Sequence, residues 1–218
     1  MENRRKLILA SQSPRRRYLL EQAGLVFDVV PSAIDEAAIP AGAPEPFACR
    51  LAEAKAADIA RRHPGCWVIG ADTIVVIGND ILGKPASTGE ARRMLQALSG
   101  QTHRVITGYA VYCEAENHRH VAAVDTAVTF KSLSAEEIEW YIRTREPFDK
   151  AGAYAIQGIG TFLVRSINGS YTNVVGLPVC EVIEHLIEAG VVRHRDLDLP
   201  ESGPPFPKKF KRRHNRTP

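Results

Sequence analysis

Cys66-Trp67-Val68-Ile69-Gly70-Ala71-Asp72-Thr73-Ile74-Val75-Val76-Ile77 reads as a buried β-strand that carries one carboxylate. β-Branched and aromatic residues fill both ends of the run, and such residues favour a pleated, packed surface. The interruption is Gly70-Ala71-Asp72-Thr73. Burying an unpaired carboxylate costs several kcal/mol, so Asp72 calls for a cation, a metal or a hydrogen-bond network. Polar residues that break a buried run tend to be functional, a purely structural network being the alternative.

Working outward from this strand, elements alternate. Lys6 to Ala10 reads as a short buried strand, followed by a helix with Pro14 in its first turn that ends near Gly24. Val26 to Val30 is a second strand, and an amphipathic helix runs from Pro46 to Arg62 with Phe47, Leu51, Ala54 and Ile59 as apolar markers. Ser87 or Thr88 caps a helix that reaches Leu98 and is closed by Gly100. Strands follow near Arg104 to Tyr112 and Val121 to Phe130, and the capping box Ser134-Ala135-Glu136-Glu137 opens a helix through Arg143. Phe162 to Ile167 is a further strand and Leu177 to Ala189 the last helix. Mixed strands and helices with hairpins make the class α/β or α+β. No internal repeat is visible, so one domain over residues 1–194 is expected, with a basic, Pro-rich and disordered tail over 195–218.

The 218 residues are 44% hydrophobic and 24% charged, the balance of a globular domain. That excludes a disordered chain, a collagen-like fibre and a small disulfide-stapled scaffold. No apolar run approaches the roughly 18 residues that span a bilayer. The opening Met1-Glu2-Asn3-Arg4-Arg5-Lys6 leads into a run too short for a signal-peptide core, so a cytoplasmic protein is expected. Cys49, Cys66, Cys113 and Cys180 lie far apart, without a C-x-x-C pair, and read as ordinary thiols. The net charge of +3 misleads: residues 207–218 hold six lysines and arginines and no acid, leaving the body slightly acidic. That tail could touch nucleic acid, but without an aromatic and basic platform a solubilising end is the favoured reading.

Four more segments can carry chemistry. Ala10-Ser11-Gln12-Ser13-Pro14-Arg15-Arg16-Arg17 joins a strand to a helix N-terminus. Free N–H groups there favour anions, and guanidinium forks grip phosphate oxygens, although a solvated basic helix face would read the same. Gly78-Asn79-Asp80-Ile81-Leu82-Gly83-Lys84-Pro85 nearly spells a Walker A loop, but Pro85 stands where Ser or Thr should hold Mg²⁺. A hairpin turn followed by a rigid Gly-Lys-Pro that aims Lys84 fits better. In Asp149-Lys150-Ala151-Gly152-Ala153-Tyr154-Ala155-Ile156-Gln157-Gly158, small residues admit a ligand and Gln157 can donate and accept to a base edge. A packed turn with Asp149 and Lys150 as solvated neighbours is the bland alternative. Glu36 lies a few residues past the second strand, where ligands bind in open α/β sheets, and Lys55 sits inside a helix.

Together these pieces resemble the Maf family of nucleotide pyrophosphatases from Leu7 to about Pro178. The resemblance is carried by Ser11-Gln12-Ser13-Pro14-Arg15-Arg16, Gly70-Ala71-Asp72-Thr73, Gly83-Lys84-Pro85, Leu98-Ser99-Gly100, Asp149-Lys150-Ala151-Gly152-Ala153-Tyr154, Gln157-Gly158, and Gly169-Ser170-Tyr171 with Gly176-Leu177-Pro178. Each motif is weak alone; all of them in this order are specific. The resemblance implies an α/β fold, a single mixed-sheet domain similar to inosine triphosphate pyrophosphatases, with a ligand cleft beside the sheet. It implies hydrolysis of nucleoside triphosphates to the monophosphate and pyrophosphate with a divalent cation, Mg or Mn. Asp72 is then the proton acceptor for the attacking water and, with Glu36, a metal ligand. Ser11, Ser13, Arg15, Arg16, Lys55 and Lys84 hold the phosphates. Arg15, Thr73 and Gln157 match the positions linked to pyrimidine preference, which points to the branch that hydrolyses dTTP and UTP, and by extension modified uridine triphosphates, as nucleotide-pool housekeeping. The rival branch prefers 7-methyl-GTP, and a non-catalytic role in septum formation is the rival of a different class. Homodimers are common in the family.

Overall fold

The computed structural model describes residues 5–193. The tail expected over 195–218 lies outside the described residues. In chain order the elements are β1 (Leu7–Leu9), α1 (Pro14–Gln22), β2 (Asp28–Val29), α2 (Pro44–Arg62), β3 (Trp67–Ile77), β4 (Asp80–Leu82), α3 (Thr88–Leu98), β5 (Thr102–Cys113), β6 (His118–Phe130), α4 (Ala135–Arg143), β7 (Val164–Asn168), α5 (Tyr171–Val175) and α6 (Val179–Glu188). One seven-stranded sheet runs β2-β1-β3-β5-β6-β7, with β4 paired to β3. β1 is parallel to β2 and β3, and every other pairing is antiparallel. This is a mixed α/β sheet. Among the described residues no helix is long and apolar enough to cross a membrane.

Successive strand residues point to opposite faces, and the sheet is covered on both. On one face, Leu19 and Leu20 of α1 and Val182 and Leu186 of α6 pack with Leu9, Ile69 and Val111. On the other, Ala52, Ala56 and Ile59 of α2 pack with Ile8, Val68 and Ala110. Further along the first face, Leu95 and Leu98 of α3 and Ile138 and Tyr141 of α4 close over Val75, Val105 and Val128. Asp72 and Thr73 therefore look to opposite sides of the same strand. In register, Asp72 lies opposite Gly108 and Thr73 opposite Thr107.

Most elements form where the sequence places them, with shifted ends. α2 starts at Pro44, two residues early, because proline is as well suited to a first helical position there as at Pro46. The strand expected over Val26–Val30 pairs only at Asp28–Val29. β5 and β6 each extend past their expected ends into one long hairpin. The strand expected from Phe162 begins at Val164, since residues 158–163 wind into a 3₁₀ turn. α5 was not expected at all.

Candidate active site

Asp72 finds its cation on α2. Gly70 and Gly108 let the helix backbone lie directly on the sheet: a Cβ at Gly70 would fall 2.4 Å from the Ala52 carbonyl oxygen, and one at Gly108 2.3 Å from that of Ala48. This close approach brings Lys55, whose side chain is only 11% exposed, within 2.6 Å of Asp72 Oδ1. The same ammonium lies 2.8 Å from Glu36 Oε1. Glu36 starts a single 3₁₀ turn capped by Asp35, whose carboxylate accepts from the Ala37 N–H at 3.0 Å. Burial works to raise the Glu36 carboxyl, but the hydrogen bond and charge of Lys55, with the charges of Lys84 and Arg16, hold it below the usual carboxylate value. A buried ammonium with two carboxylates on it is a compensated charge cluster, which removal of any member unbalances.

On the opposite side of β3 lies the N-terminus of α1. Ser13 caps it, accepting from the Arg16 N–H at 3.4 Å, with Pro14 in the first turn. Buried Ser11 accepts from the Ser13 N–H and from Arg16 Nη1, both at 3.2 Å. Arg16 also donates from Nε to the Gly176 carbonyl at 2.7 Å and from Nη2 to Thr73 Oγ1 at 3.2 Å. Burial lowers the Arg16 guanidinium from its ordinary value, and the Asp72 charge opposes that shift. Arg15 instead reaches outward, donating to Asp149 Oδ2 at 3.0 Å. Burial pushes the Asp149 carboxyl up, and hydrogen bonds from Lys150 and Arg15 bring it below its ordinary value.

Gln157 sits on a loop pinned from behind. The Glu146 carboxylate accepts from the Ile159 and Gly160 N–H groups at 3.0 Å each, and from the Tyr141 hydroxyl at 3.1 Å. The same Tyr141 oxygen accepts from the Ala155 N–H at 3.1 Å. The Gly152 N–H donates to the Gly83 carbonyl at 3.0 Å, which ties this loop to the turn that presents exposed Lys84. A cavity of about 650 Å³ results, and every candidate site residue expected from the sequence lines it. Glu36, Lys55 and Asp72 form one wall; Arg16, Thr73 and Gly176 form another; Arg15, Lys84 and Gln157 stand around them.

The family description "Maf-like protein" matches residues 6–189. The chain belongs to that family. The Maf-like chain is 54% identical over 187 residues to a dTTP/UTP pyrophosphatase of Geobacter sulfurreducens, covering 86% of this chain and 98% of that one. A dTTP/UTP pyrophosphatase of Geobacter metallireducens is 53% identical over 192 residues, covering 88% and 100%. One from Myxococcus xanthus is 50% identical, covering 85% and 93%. Among solved structures, the nucleoside-triphosphatase (dITP/XTP pyrophosphatase) of Mycobacterium abscessus superposes with a TM-score of 0.42 at 15% identity, covering 84% of this chain and 96% of that one. At that score the α/β assignment rests on this chain's own sheet and helices.

Some of the Maf-like site lay outside the sequence reading. Lys150, part of the ligand-admitting segment but given no role of its own, has a side chain only 13% exposed, lines the cavity and donates to the Glu146 carbonyl at 2.7 Å. Thr107 and Asn173 are fully buried polar residues that reach the site through Thr73. A polar residue within the apolar run of β5 was the available signal for Thr107. Among the described residues no group of three or more His, Cys, Asp or Glu side chains is set to hold a metal ion. Glu36 and Asp72 do converge on one point, and the Lys55 ammonium sits there.

Proposed function

We propose that this Maf-like protein hydrolyses dTTP and UTP, and modified uridine triphosphates, to the monophosphate and pyrophosphate. The observation that carries the reading is the Lys55 ammonium held between Glu36 and Asp72 in a cavity that also gathers Arg15, Arg16 and Lys84. The names of relatives near 50% identity over most of the chain support the substrate class.

In this reading Asp72 takes the proton of the attacking water, whose oxygen adds to the α-phosphorus as the bond to the departing pyrophosphate breaks. Phosphoryl transfer of this kind is mostly positioning and charge neutralisation. Lys55, Lys84 and Arg15 supply charge, while Ser11 and Ser13 present donors at the helix N-terminus. Two carboxylates that already converge on a cation fit magnesium or manganese, which takes few protein oxygens and fills its remaining positions from water and phosphate. Glu36 and Asp72 would hold that ion through carboxylate oxygens other than the two on Lys55, and it would supply charge that neutralises the triphosphate. Thr73 and Gln157 face the base. A homodimer belongs to the same reading: β6 pairs with β7 only from Ala127 onward, so residues 118–126 leave a strand edge that no other described strand covers.

One experiment tests this. Pyrophosphate release from dTTP, UTP, CTP, GTP and 7-methyl-GTP is followed with Mg²⁺ or Mn²⁺, on protein whose mass is measured by light scattering, with two chains expected. Asp72→Asn runs beside it and should lose about 10²–10⁴-fold in kcat, the range of a general base. Preference for 7-methyl-GTP would overturn the pyrimidine reading, and no turnover of any triphosphate would overturn the activity.

A further inference from the structure

Thr107 does not touch the cavity. It is fully buried on β5, directly across the sheet from Thr73, and the two hydroxyl oxygens are 2.8 Å apart. A hydroxyl has one proton and two acceptor positions, so the direction of each bond around this pair can be worked out. Thr107 Oγ1 lies 3.1 Å from the Asn173 carbonyl, which can only accept, so the Thr107 proton goes there. The 2.8 Å contact must then carry the Thr73 proton to Thr107. Arg16 Nη2, 3.2 Å from Thr73 Oγ1, can only donate and fills one acceptor position. The competing destination for the Thr73 proton is the Gly176 carbonyl at 3.3 Å, which already accepts from Arg16 Nε at 2.7 Å. That carbonyl is farther away and already occupied, so the Thr73 proton is spent on Thr107.

We propose that Thr107 is a positioning residue that fixes Thr73 as a hydrogen-bond acceptor, so that the cavity selects a base offering a ring N–H. This rests on the reading above that Thr73 faces the base. Uracil and thymine carry a proton on N3; cytosine presents a lone pair at the same atom. Facing cytosine, Thr73 would set acceptor against acceptor where the seated base displaces water, and an unmatched polar group is what gives hydrogen-bonding sites their large discrimination. Gln157 cannot supply this selection, because its amide has a donor end and an acceptor end and serves either base by turning over. The selection therefore resides in the one hydroxyl whose polarity is locked from behind.

The test compares UTP with CTP in the wild type, Thr107→Val and Thr107→Ser, reading kcat/KM and, with uncleavable α,β-methylene analogues, Kd. The wild type should prefer the uridine nucleotide by about 100-fold or more. Thr107→Val keeps the shape but frees the Thr73 proton to turn toward the cavity, and the preference should fall at least tenfold; Thr107→Ser should restore it. A valine variant that weakens both nucleotides by one common factor would show Thr107 to be merely structural and overturn the proposal. Should the valine variant not fold, the wild type still decides. It should bind the 3-methyluridine analogue, which lacks the N–H, at least 100-fold more weakly than the 5-methyluridine analogue. Equal binding of those two, or of the UTP and CTP analogues, would also overturn it. The binding arm separates the two claims, since selection without turnover would refute the activity alone.

Discussion

Arg16 shows how a single side chain can be chosen by geometry rather than by charge. Its Nε, Nη1 and Nη2 donate to the Gly176 carbonyl, Ser11 and Thr73, so one guanidinium ties α1 to β3 and to the loop before α6. A lysine brings the same charge as a point and cannot reach three acceptors in a fixed fork. Arg16→Lys should therefore lower kcat at least tenfold with dTTP, and lower Tm by about 2–8 °C for a loss of about 1–2 kcal/mol. Unchanged kinetics and melting would show that charge alone suffices. At this scale the sequence was legible in part. Asp72 could be singled out because a carboxylate in a buried apolar run needs a partner. Which of two adjacent arginines turns inward could not be read. The answer depends on a carbonyl 160 positions away, brought into reach only by the sheet. Thr107 likewise gains its meaning from strand register, which pairs it with Thr73.

The element that decides the site is α2, and glycines decide how it sits. Gly70 and Gly108 lie on neighbouring strands beneath Ala48, Ala52 and Ala56, where any side chain would collide with helix backbone. Small residue on small residue lowers the helix onto the sheet until Lys55 meets Asp72. Gly108→Ala should destabilise by about 3 kcal/mol, the upper end for overpacking, because the obstructing atoms are backbone and cannot swing away. It should also lower kcat by parting Lys55 from Asp72. Gly65→Ala, where an added Cβ meets nothing within 4 Å, serves as the control in the same urea titration. A Gly108→Ala chain as stable as the control would refute the close-docking argument. Elements with punctuation were legible: the Ser134 capping box and Gly100 after α3 stand where the signals put them. α5 was not, since five residues between Ser170 and Gly176 are too few to display a helical period. The strand expected from Phe162 was shortened by a contact invisible in sequence, the Glu146 carboxylate gathering the Ile159 and Gly160 N–H groups into a turn.

Across the whole molecule, histidines link folding to pH. His103, 2% exposed, shares its Nε2 with the Tyr154 hydroxyl at 2.8 Å while Nδ1 has no partner, and burial pushes its pKa down to about 4. At the other end of the sheet, His185 of α6 faces His118 of β6 with the two Nε2 atoms 2.9 Å apart, and His120 stacks on it at 3.7 Å. Burial, then the charges of His120 and His118, lower His185 to about 4 as well. Both groups are neutral in the folded protein, while in the unfolded chain they titrate near 6.5. The unfolded state thus binds more protons between these values. Stability is complete well above pH 6.5 and falls as pH drops toward 4, by up to about 1.4 kcal/mol per pH unit for buried His103 and by less for His185, whose charge is partly screened by solvent. Glu36 and Asp149, whose folded pKa values lie below their ordinary ones, lose their contribution only at lower pH. The first acid loss is therefore a histidine effect. Melting temperatures measured from pH 7.5 to 4.5 should decline below pH 6.5, and His185→Gln, which has no proton to gain, should flatten part of that decline. A melting temperature constant down to pH 5 would mean that neither histidine is held neutral, and that α6 and the Gln157 loop are not anchored through uncharged imidazoles.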